Sequence, residues 1–116
     1  MNIPIYNSNN FPIIRNSVLT YGHFNSVHPG HIRYLKKASN YGNSLIVAIL
    51  PDTEDGRKRS YKFSQKERAE GLTALNLVDG IILLKDVKFS LANLIQKLNP
   101  NFLFLGTEFE ESQDPE

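Results

Sequence analysis

The feature that most constrains this chain is a run of six consecutive apolar residues, Leu45–Leu50. An antiparallel strand with one face in water alternates apolar and polar residues, whereas a run without alternation suits a central parallel strand buried on both faces. The run is also far too short to cross a membrane. It therefore predicts an α/β protein whose sheet is covered on both sides.

Strand-like and helix-like segments alternate along the rest of the chain. The patterns predict strands at Ser17–Gly22, Ser44–Leu50, Val78–Leu84 and Phe102–Leu105, and helices at Pro29–Tyr41, from Ser64 and from Ser90. Strands separated by helices of about ten residues imply right-handed crossovers and a parallel sheet. The predicted fold class is α/β, a Rossmann-like open parallel sheet with helices on both faces.

Local signals place the ends of these helices. Ser64 and Glu67 form a capping box, in which each side chain satisfies a free backbone N–H. Ser90 is expected to cap the last helix, which Asn99 and the following proline end. Gly42 is expected to stop the first helix, and the segment 51–62 is predicted to be a polar loop.

The length of 116 residues and the mass of 13.2 kDa allow one domain. Residues 1–16 are rich in Asn, contain two prolines and show no regular period, which predicts an N-terminal arm. The α/β domain is expected at 17–107. Residues 108–116 are acidic, so they are either a solvated tail or the loop at which a longer, C-terminally truncated protein was cut; we favour the second interpretation.

Composition excludes several functions. The chain has no cysteine, which excludes disulfides, Cys-ligated zinc and thiol catalysis and permits a reducing cytoplasm. The net charge of +1 gives no global argument for a nucleic acid or an anionic membrane as partner. The first fifteen residues lack the basic start and apolar stretch of a signal peptide. We therefore expect a cytoplasmic protein without a membrane span.

The first strand leads into the segment most suggestive of chemistry. Ligands of open parallel sheets bind beyond the carboxyl ends of strands, where the strand order reverses. His28, Pro29, Gly30 and His31 open the following helix, whose free N–H groups can bind an anion. His28 and His31 are three residues apart and share a face. The pattern suggests a phosphate site, although both histidines could also be ordinary capping and surface residues.

A second candidate lies in the segment that leaves the second strand. Arg57, Lys58, Arg59 and Lys62 place four cations within six residues. Such a cluster is usually only a solvated loop, although it can also serve a binding site. The sequence leaves both interpretations open.

These segments carry a family resemblance. Gly22-His23-Phe24-Asn25, followed by His28-Pro29-Gly30-His31, resembles the HxGH signature of the cytidylyltransferase-like nucleotidyltransferases. The resemblance covers about residues 17–110. Within the family, the sequence is similar to glycerol-3-phosphate cytidylyltransferases and to the nucleotidyltransferase domain of bifunctional heptose-activating enzymes. This resemblance implies a Rossmann-like fold of the HUP type and transfer of CMP or AMP from CTP or ATP to a small phosphorylated alcohol or sugar, with release of pyrophosphate.

The resemblance also implies residue roles. His28 and His31 would stabilise charge on the nucleotide phosphates, and Lys58, with Arg57 as substitute, would reach the triphosphate or the acceptor phosphate. The implied nucleotide-binding residues are Tyr21, Gly22, His23, Phe24, Asn25, Gly30 and Arg57. Mg²⁺ would arrive mainly with the nucleotide rather than at a protein metal site, and neither nucleic acid nor membrane is an implied partner. Relatives suggest a homodimer.

Departures from the family pattern support alternative functions. Asn25 stands where the family commonly has Asp, Leu105 stands where relatives often have Lys, and the later Ser/Thr-rich segment of relatives is absent. The alternatives are a non-catalytic nucleotide- or phosphate-binding domain and a fragment of a longer bifunctional enzyme. A third alternative, a purely structural or interaction domain, is supported only by the acidic tail and the Asn-rich arm. For the enzyme, we expect His31→Ala to abolish turnover with little effect on folding, because an imidazole at the mouth of a helix is expected to pack little.

Overall fold

The computed structural model describes residues 3–24, 29–54, 57–58, 63–86 and 89–104, with 53–54 and 57–58 described by their backbone. The strands are β1 Ile5–Asn7, β2 Ser17–Gly22, β3 Ser44–Ile49, β4 Thr53–Glu54, β5 Arg57–Lys58, β6 Gly80–Leu83 and β7 Phe102–Leu103. The helices are α1 Pro29–Ser39, α2 Gln65–Thr73 and α3 Phe89–Leu98.

Five strands form one parallel sheet in the order β1-β6-β3-β2-β7. The chain runs outward from β2 to β3 and β6, then returns to place β7 on the other side of β2. This return makes the gap between β2 and β7 the point where the strand order reverses. The α/β fold class predicted from the sequence is confirmed.

The apolar run 45–50, from which the sheet was predicted, includes most of the central strand β3. Every residue of 45–50 is at most 4% exposed. Alternate residues face opposite sides of a strand, so Leu45 and Val47 join a core that includes residues of α1 and α2, whereas Ile46 and Ala48 join one that includes residues of α3. The helices therefore cover both faces, as expected.

The capping box at the start of α2 is confirmed. The Ser64 Oγ accepts a hydrogen bond from the Glu67 N–H at 3.2 Å, and the Glu67 Oε1 accepts one from the Ser64 N–H at 2.9 Å. The end of α3 is confirmed as well, since Asn99 adopts a left-handed φ of 51° and its N–H donates to the Ile95 carbonyl.

The expected cap of α3 was wrong. Asp86, not Ser90, binds the free backbone groups: its Oδ1 accepts from the Phe89 and Ser90 N–H groups at 2.7 and 2.8 Å. The Ser90 Oγ in turn accepts from the Asp86 N–H at 3.3 Å. The hydrogen bond from the Ser90 N–H, assisted by those from the Phe89 N–H and the Ser90 hydroxyl, lowers the pKa of Asp86 despite the opposing effect of burial.

The expectation of an irregular N-terminal arm was wrong for Ile5–Asn7. This segment is β1, which pairs in parallel with β6 from Ile5 opposite Ile81 to Asn7 opposite Leu83. Further along, Phe11 and Ile14 pack against the core on the α3 side of the sheet. The bounds 1–16, 17–107 and 108–116 themselves stay a prediction, and the acidic tail lies outside the described residues.

The loop predicted at 51–62 contains a short ribbon. Thr53 of β4 pairs with Lys58 of β5 in antiparallel register, and Glu54 pairs with Arg57. The prediction of a loop without strands was therefore wrong for these four residues. The ribbon follows directly from the carboxyl end of β3, so it begins at the edge of the sheet where ligands of such folds bind.

Gly42 does not end α1 in the expected manner, because the helix stops at Ser39. Instead, the missing side chain of Gly42 allows its backbone to lie close to the backbone of Asn16. A Cβ at this position would lie 2.6 Å from the Asn16 carbonyl oxygen, which accepts a hydrogen bond from the Asn43 N–H at 2.8 Å. The glycine lets the turn after α1 pack against the residue that precedes β2.

The helices within the described ranges are all too short or too polar to cross a lipid bilayer.

Candidate functional site

The carboxyl end of β2 lies beside the point where the strand order reverses. A side chain of α1 joins the two sides of this point: the Tyr34 hydroxyl donates to the Phe104 carbonyl at 2.7 Å and is also hydrogen-bonded to the Thr20 Oγ1 of β2. Tyr34 and Thr20 are both buried. These hydrogen bonds fix α1 relative to β2 and to the segment after β7, beside the crevice in which an open parallel sheet binds its ligand.

The residues that leave β2 were candidates from the sequence. Tyr21 and Gly22 end the strand, and the Gly22 carbonyl accepts from the Leu50 N–H at 2.9 Å. His23 is half-buried, whereas Phe24 is only 3% exposed and adopts a positive φ of 52°. Left-handed backbone is uncommon for an aromatic residue and costs energy. The chain therefore turns sharply here, with the Phe24 ring buried.

His31 lies in the first turn of α1, which begins at Pro29 as expected. Its side chain packs on Phe24, with ring centroids 5.7 Å apart and planes inclined by 50°. At 9% exposure it is buried, as is Gly30 beside it. The expectation that this imidazole packs little was wrong, because its contact with Phe24 is part of the core around the site.

The structure thus brings part of the predicted set together. The end of β2 and the first turn of α1 meet through the contact between Phe24 and His31. His28 and Asn25 lie outside the described residues. Arg57 and Lys58 form β5, and their side chains are likewise not described. Their assigned roles stay predictions.

Arg68 of α2 is part of the family resemblance, but no role in the site was assigned to it from the sequence. Its side chain is 0% exposed, and its Nη1 donates to the His23 carbonyl at 2.5 Å. Its Nη2 donates to the Leu50 carbonyl at 3.2 Å and to the Asp52 Oδ1 at 2.7 Å. A signal was present: Arg68 is four residues before Leu72, on the face of the helix that the apolar pattern assigns to the core.

Gln65, in the first turn of α2, was also missed. Its Nε2 donates to the Ile49 carbonyl at 2.8 Å and to the Leu84 carbonyl at 2.9 Å. These carbonyls lie at the carboxyl ends of β3 and β6, so the amide joins two neighbouring strands where their pairing stops. The first turn of α2 therefore organises the same edge of the sheet, on the face that α2 shares with α1.

Among the described residues, no group of three or more His, Asp or Glu side chains could hold a metal ion. Asp52, a carboxylate that follows β3 at this edge of the sheet, is paired with Arg68. Of the described side chains, the site thus offers an imidazole and aromatic surface rather than a set of carboxylates.

An open parallel sheet with a histidine in the first turn of the helix that follows β2 has the architecture of a Rossmann-like α/β protein. Comparison with known proteins makes this specific. The sequence profile of the cytidylyltransferase-like family matches residues 19–114, and the chain belongs to this family of nucleotidyltransferases.

Two curated relatives and one solved structure illustrate the family. The FAD synthase of Thermococcus sibiricus is 36% identical over 93 residues, which is 78% of this chain and 62% of that protein. The bifunctional protein HldE of Geobacter sulfurreducens is 33% identical over 95 residues, 79% of this chain and 19% of that protein. The chain therefore spans less than two thirds of either relative.

The solved structure is the lipopolysaccharide core biosynthesis protein from Thermoplasma volcanium. It superposes with a TM-score of 0.65 at 25% identity, covering 76% of this chain and 71% of that one. The likeness confirms the arrangement of sheet and helices described above.

Proposed function

We propose that this chain is the nucleotide-binding part of a nucleotidyltransferase that transfers CMP or AMP from CTP or ATP to a small phosphorylated alcohol or sugar. The observation that carries the proposal is the placement of His31. In a chain of the cytidylyltransferase-like family, this imidazole is fixed in the first turn of α1, against Phe24 and beside the end of β2.

In the proposed reaction, an oxygen of the acceptor phosphate attacks the α-phosphorus of the nucleotide. The bond from that phosphorus to the oxygen bridging to the β-phosphate breaks, and pyrophosphate leaves with the electron pair. No covalent intermediate with the protein is required. The protein's contribution is to position the reactants and to stabilise negative charge that spreads over the phosphates.

The chain's own groups suit that contribution. The N-terminus of α1 is the positive end of the helix dipole and favours an anion, and His31, together with His28, would donate hydrogen bonds to phosphate oxygens. Backbone N–H groups at His23 and Phe24 would add to this cradle. Lys58 or Arg57, on the ribbon that leaves β3, would supply a cation for the triphosphate or the acceptor phosphate.

Mg²⁺ fits this proposal as an ion that the nucleotide brings. Magnesium keeps several waters and is commonly held by substrate phosphates with only one or two protein carboxylates. The described residues offer no carboxylate cluster, so the phosphate oxygens would hold it. When bound, the ion would neutralise part of the charge on the triphosphate.

The relatives guide the choice of substrates to test. The name FAD synthase contains an adenine nucleotide, which favours ATP over CTP. The solved neighbour belongs to lipopolysaccharide core biosynthesis, which favours a phosphorylated sugar as acceptor. We therefore place ATP and sugar phosphates first, with CTP and phosphorylated alcohols second.

The test is a calorimetric titration of the chain with ATP and with CTP, each with Mg²⁺. We compare His31→Asn, which keeps a polar side chain of moderate size, with Arg33→Ala, which removes an exposed cation from the same helix. Loss of a charge-assisted hydrogen bond to phosphate should weaken binding about tenfold or more in His31→Asn. The Arg33 variant should bind as the parent chain does.

Saturable binding that depends on His31 supports the proposal. Absence of binding by both nucleotides, or unchanged binding by the His31 variant, refutes it for this chain. A screen for pyrophosphate release then separates the enzyme from the alternative that Asn25 suggests, a domain that binds nucleotide without transferring it. The homodimer and the cytoplasmic location stay predictions.

A further inference from the structure

Arg68 is unusual because a charged side chain occupies a core-facing position of α2. Its side chain is 0% exposed, beside Ala69 and Leu72, which are also fully buried. Burying a charge is costly unless the charge is paired and hydrogen-bonded. Apolar residues of similar volume often replace a buried ion pair without loss of stability. Packing alone therefore gives no reason for arginine at this position.

The partners of Arg68 share one location. His23 follows β2, Leu50 follows β3, and Asp52 precedes the β4/β5 ribbon. All three leave the carboxyl edge of the sheet, where the proposed nucleotide site lies. The two terminal nitrogens of one guanidinium bind the segments that follow two neighbouring strands, Nη1 the segment after β2 and Nη2 the segment after β3.

Only arginine has this geometry among the cationic side chains. Its guanidinium is a planar fork with donors in fixed directions, whereas a lysine ammonium is a single point on a flexible stem. Lysine could reach one of these partners or place its charge beside Asp52, but it could not brace two backbone segments in fixed relation.

The hydrogen bond from Arg68 to the His23 carbonyl connects Arg68 to the predicted phosphate site. Arg68 holds the His23 carbonyl, and that peptide group continues directly into Phe24 with its left-handed backbone. The Phe24 ring in turn contacts His31. A shift of the His23 peptide would therefore move the aromatic surface on which the imidazole rests.

We propose that Arg68, anchored by Asp52, is a positioning residue that fixes the segment after β2 against the segment after β3, and thereby holds Phe24 and His31 in place for phosphate binding. This proposal rests on the proposed function for its ligand. Arg68 itself need not touch the nucleotide.

The test compares Arg68→Met and Arg68→Lys with a matched control, Lys66→Met, which removes an exposed cation from the same helix. Two quantities are measured: the NMR signals of the His23 and Phe24 amides and the His31 ring in the nucleotide-free protein, and the dissociation constants for ATP and CTP with Mg²⁺. The His31 ring signals report placement of the loop, because they are linked to Arg68 through Phe24, whereas the His23 and Phe24 amides also respond directly to the lost hydrogen bond.

We expect Arg68→Met to shift all three sets of signals and to weaken nucleotide binding about tenfold or more. Arg68→Lys should show an intermediate effect, and Lys66→Met should leave both quantities unchanged. The His31→Asn substitution, added to Arg68→Met, should cost less than it does in the parent chain, because coupled residues are not additive. Full additivity, or parent-like signals and affinity in Arg68→Met, overturns the proposal.

Two further outcomes are covered. If Arg68→Met does not fold, Asp52→Ala decides, because the Asp52 side chain is 39% exposed and belongs to neither apolar core; unchanged signals and affinity in that variant overturn the proposal. If the parent chain binds neither nucleotide, the proposed function fails, and the NMR signals alone decide whether Arg68 positions the loop.

Discussion

Replacing Tyr34 by Phe removes a single oxygen atom that connects three parts of the fold. The hydroxyl joins α1, β2 through Thr20, and the segment after β7 through the Phe104 carbonyl. The ring itself is kept, including its contact with the Phe104 ring at a centroid distance of 5.2 Å. The substitution therefore isolates the hydrogen bonds from the packing.

The expected loss in the free energy of unfolding depends on which polar groups lose their hydrogen-bond partner. Thr20 is 0% exposed, so its hydroxyl loses a partner and cannot gain water. The Phe104 carbonyl is only partly buried, so water can replace part of its lost bond. A buried polar group left unsatisfied costs about 1–3 kcal/mol. We expect Tyr34→Phe to lower the free energy of unfolding by about 2 kcal/mol.

The assay is urea unfolding followed by far-UV circular dichroism. With a urea dependence of about 1–3 kcal/mol per M, the midpoint should fall by about 1 M. Tyr41→Phe is the matched control, because Tyr41 is 45% exposed and keeps its ring contacts with Phe102 and Phe104. It should change stability by less than about 0.5 kcal/mol.

A second substitution tests the reasoning itself. Thr20→Val removes the hydroxyl that Tyr34→Phe leaves unsatisfied, so the double variant should lose less stability than the two single variants together. The reasoning is refuted if Tyr34→Phe lies within about 0.5 kcal/mol of the parent chain, or if the two losses simply add.

Two further predictions concern the cap of α3 and the turn after α1. Hydrogen bonds to the carboxylate lower the pKa of Asp86 in the folded chain. Near the ordinary pKa of about 4, the unfolded chain therefore binds more protons than the folded chain. The resulting stabilisation of the folded chain is complete above that pH and is lost as the pH falls through the lower folded pKa. Urea unfolding at pH 6 and pH 3 should therefore show a smaller loss at low pH in Asp86→Asn than in the parent chain, and equal losses would contradict this. Gly42→Ala should destabilise the protein by about 1–3 kcal/mol in the same assay, because its Cβ would meet the Asn16 carbonyl at 2.6 Å. A gain in stability, which glycine replacement gives at an unstrained position, would show that the turn relaxes freely.

Sequence signals were reliable where the cause of a structure is local. The apolar run 45–50 needs burial on both faces, and the capping box of Ser64 and Glu67 satisfies backbone groups within four residues of each other. Pro29 at the start of α1 and Asn99 at the end of α3 follow equally local rules. These elements could be predicted without knowledge of the rest of the fold.

The errors occurred where a distant partner decides the outcome, where a segment is too short to carry a pattern, or where two nearby residues suit the same role. β1 is three residues long and is a strand because β6 lies beside it, which no local period reveals. The β4/β5 ribbon has only two residues in each strand, too few for an alternating pattern. For α3, Asp86 and Ser90 both suit a cap, and the structure gives the carboxylate the two free N–H groups.

For the candidate site too, the sequence predicted the locally determined features and not those that depend on the rest of the fold. The motif around His31 predicted its place in the first turn of α1, but not its burial against Phe24, which depends on a left-handed residue. Arg68 was missed because its three partners come from segments 16 to 45 residues away in sequence. Only the folded sheet brings these segments to one edge.

The pairing of β1 with β6 has a consequence for how the protein is made. Ile5 leaves the ribosome 76 residues before its partner Ile81. At synthesis rates of about 5–20 residues per second, β1 waits roughly 4–15 s for the strand it pairs with. Contacts between residues so distant in sequence also form slowly during folding. The outer edge of β6 is therefore closed late, by the strand that was synthesised first.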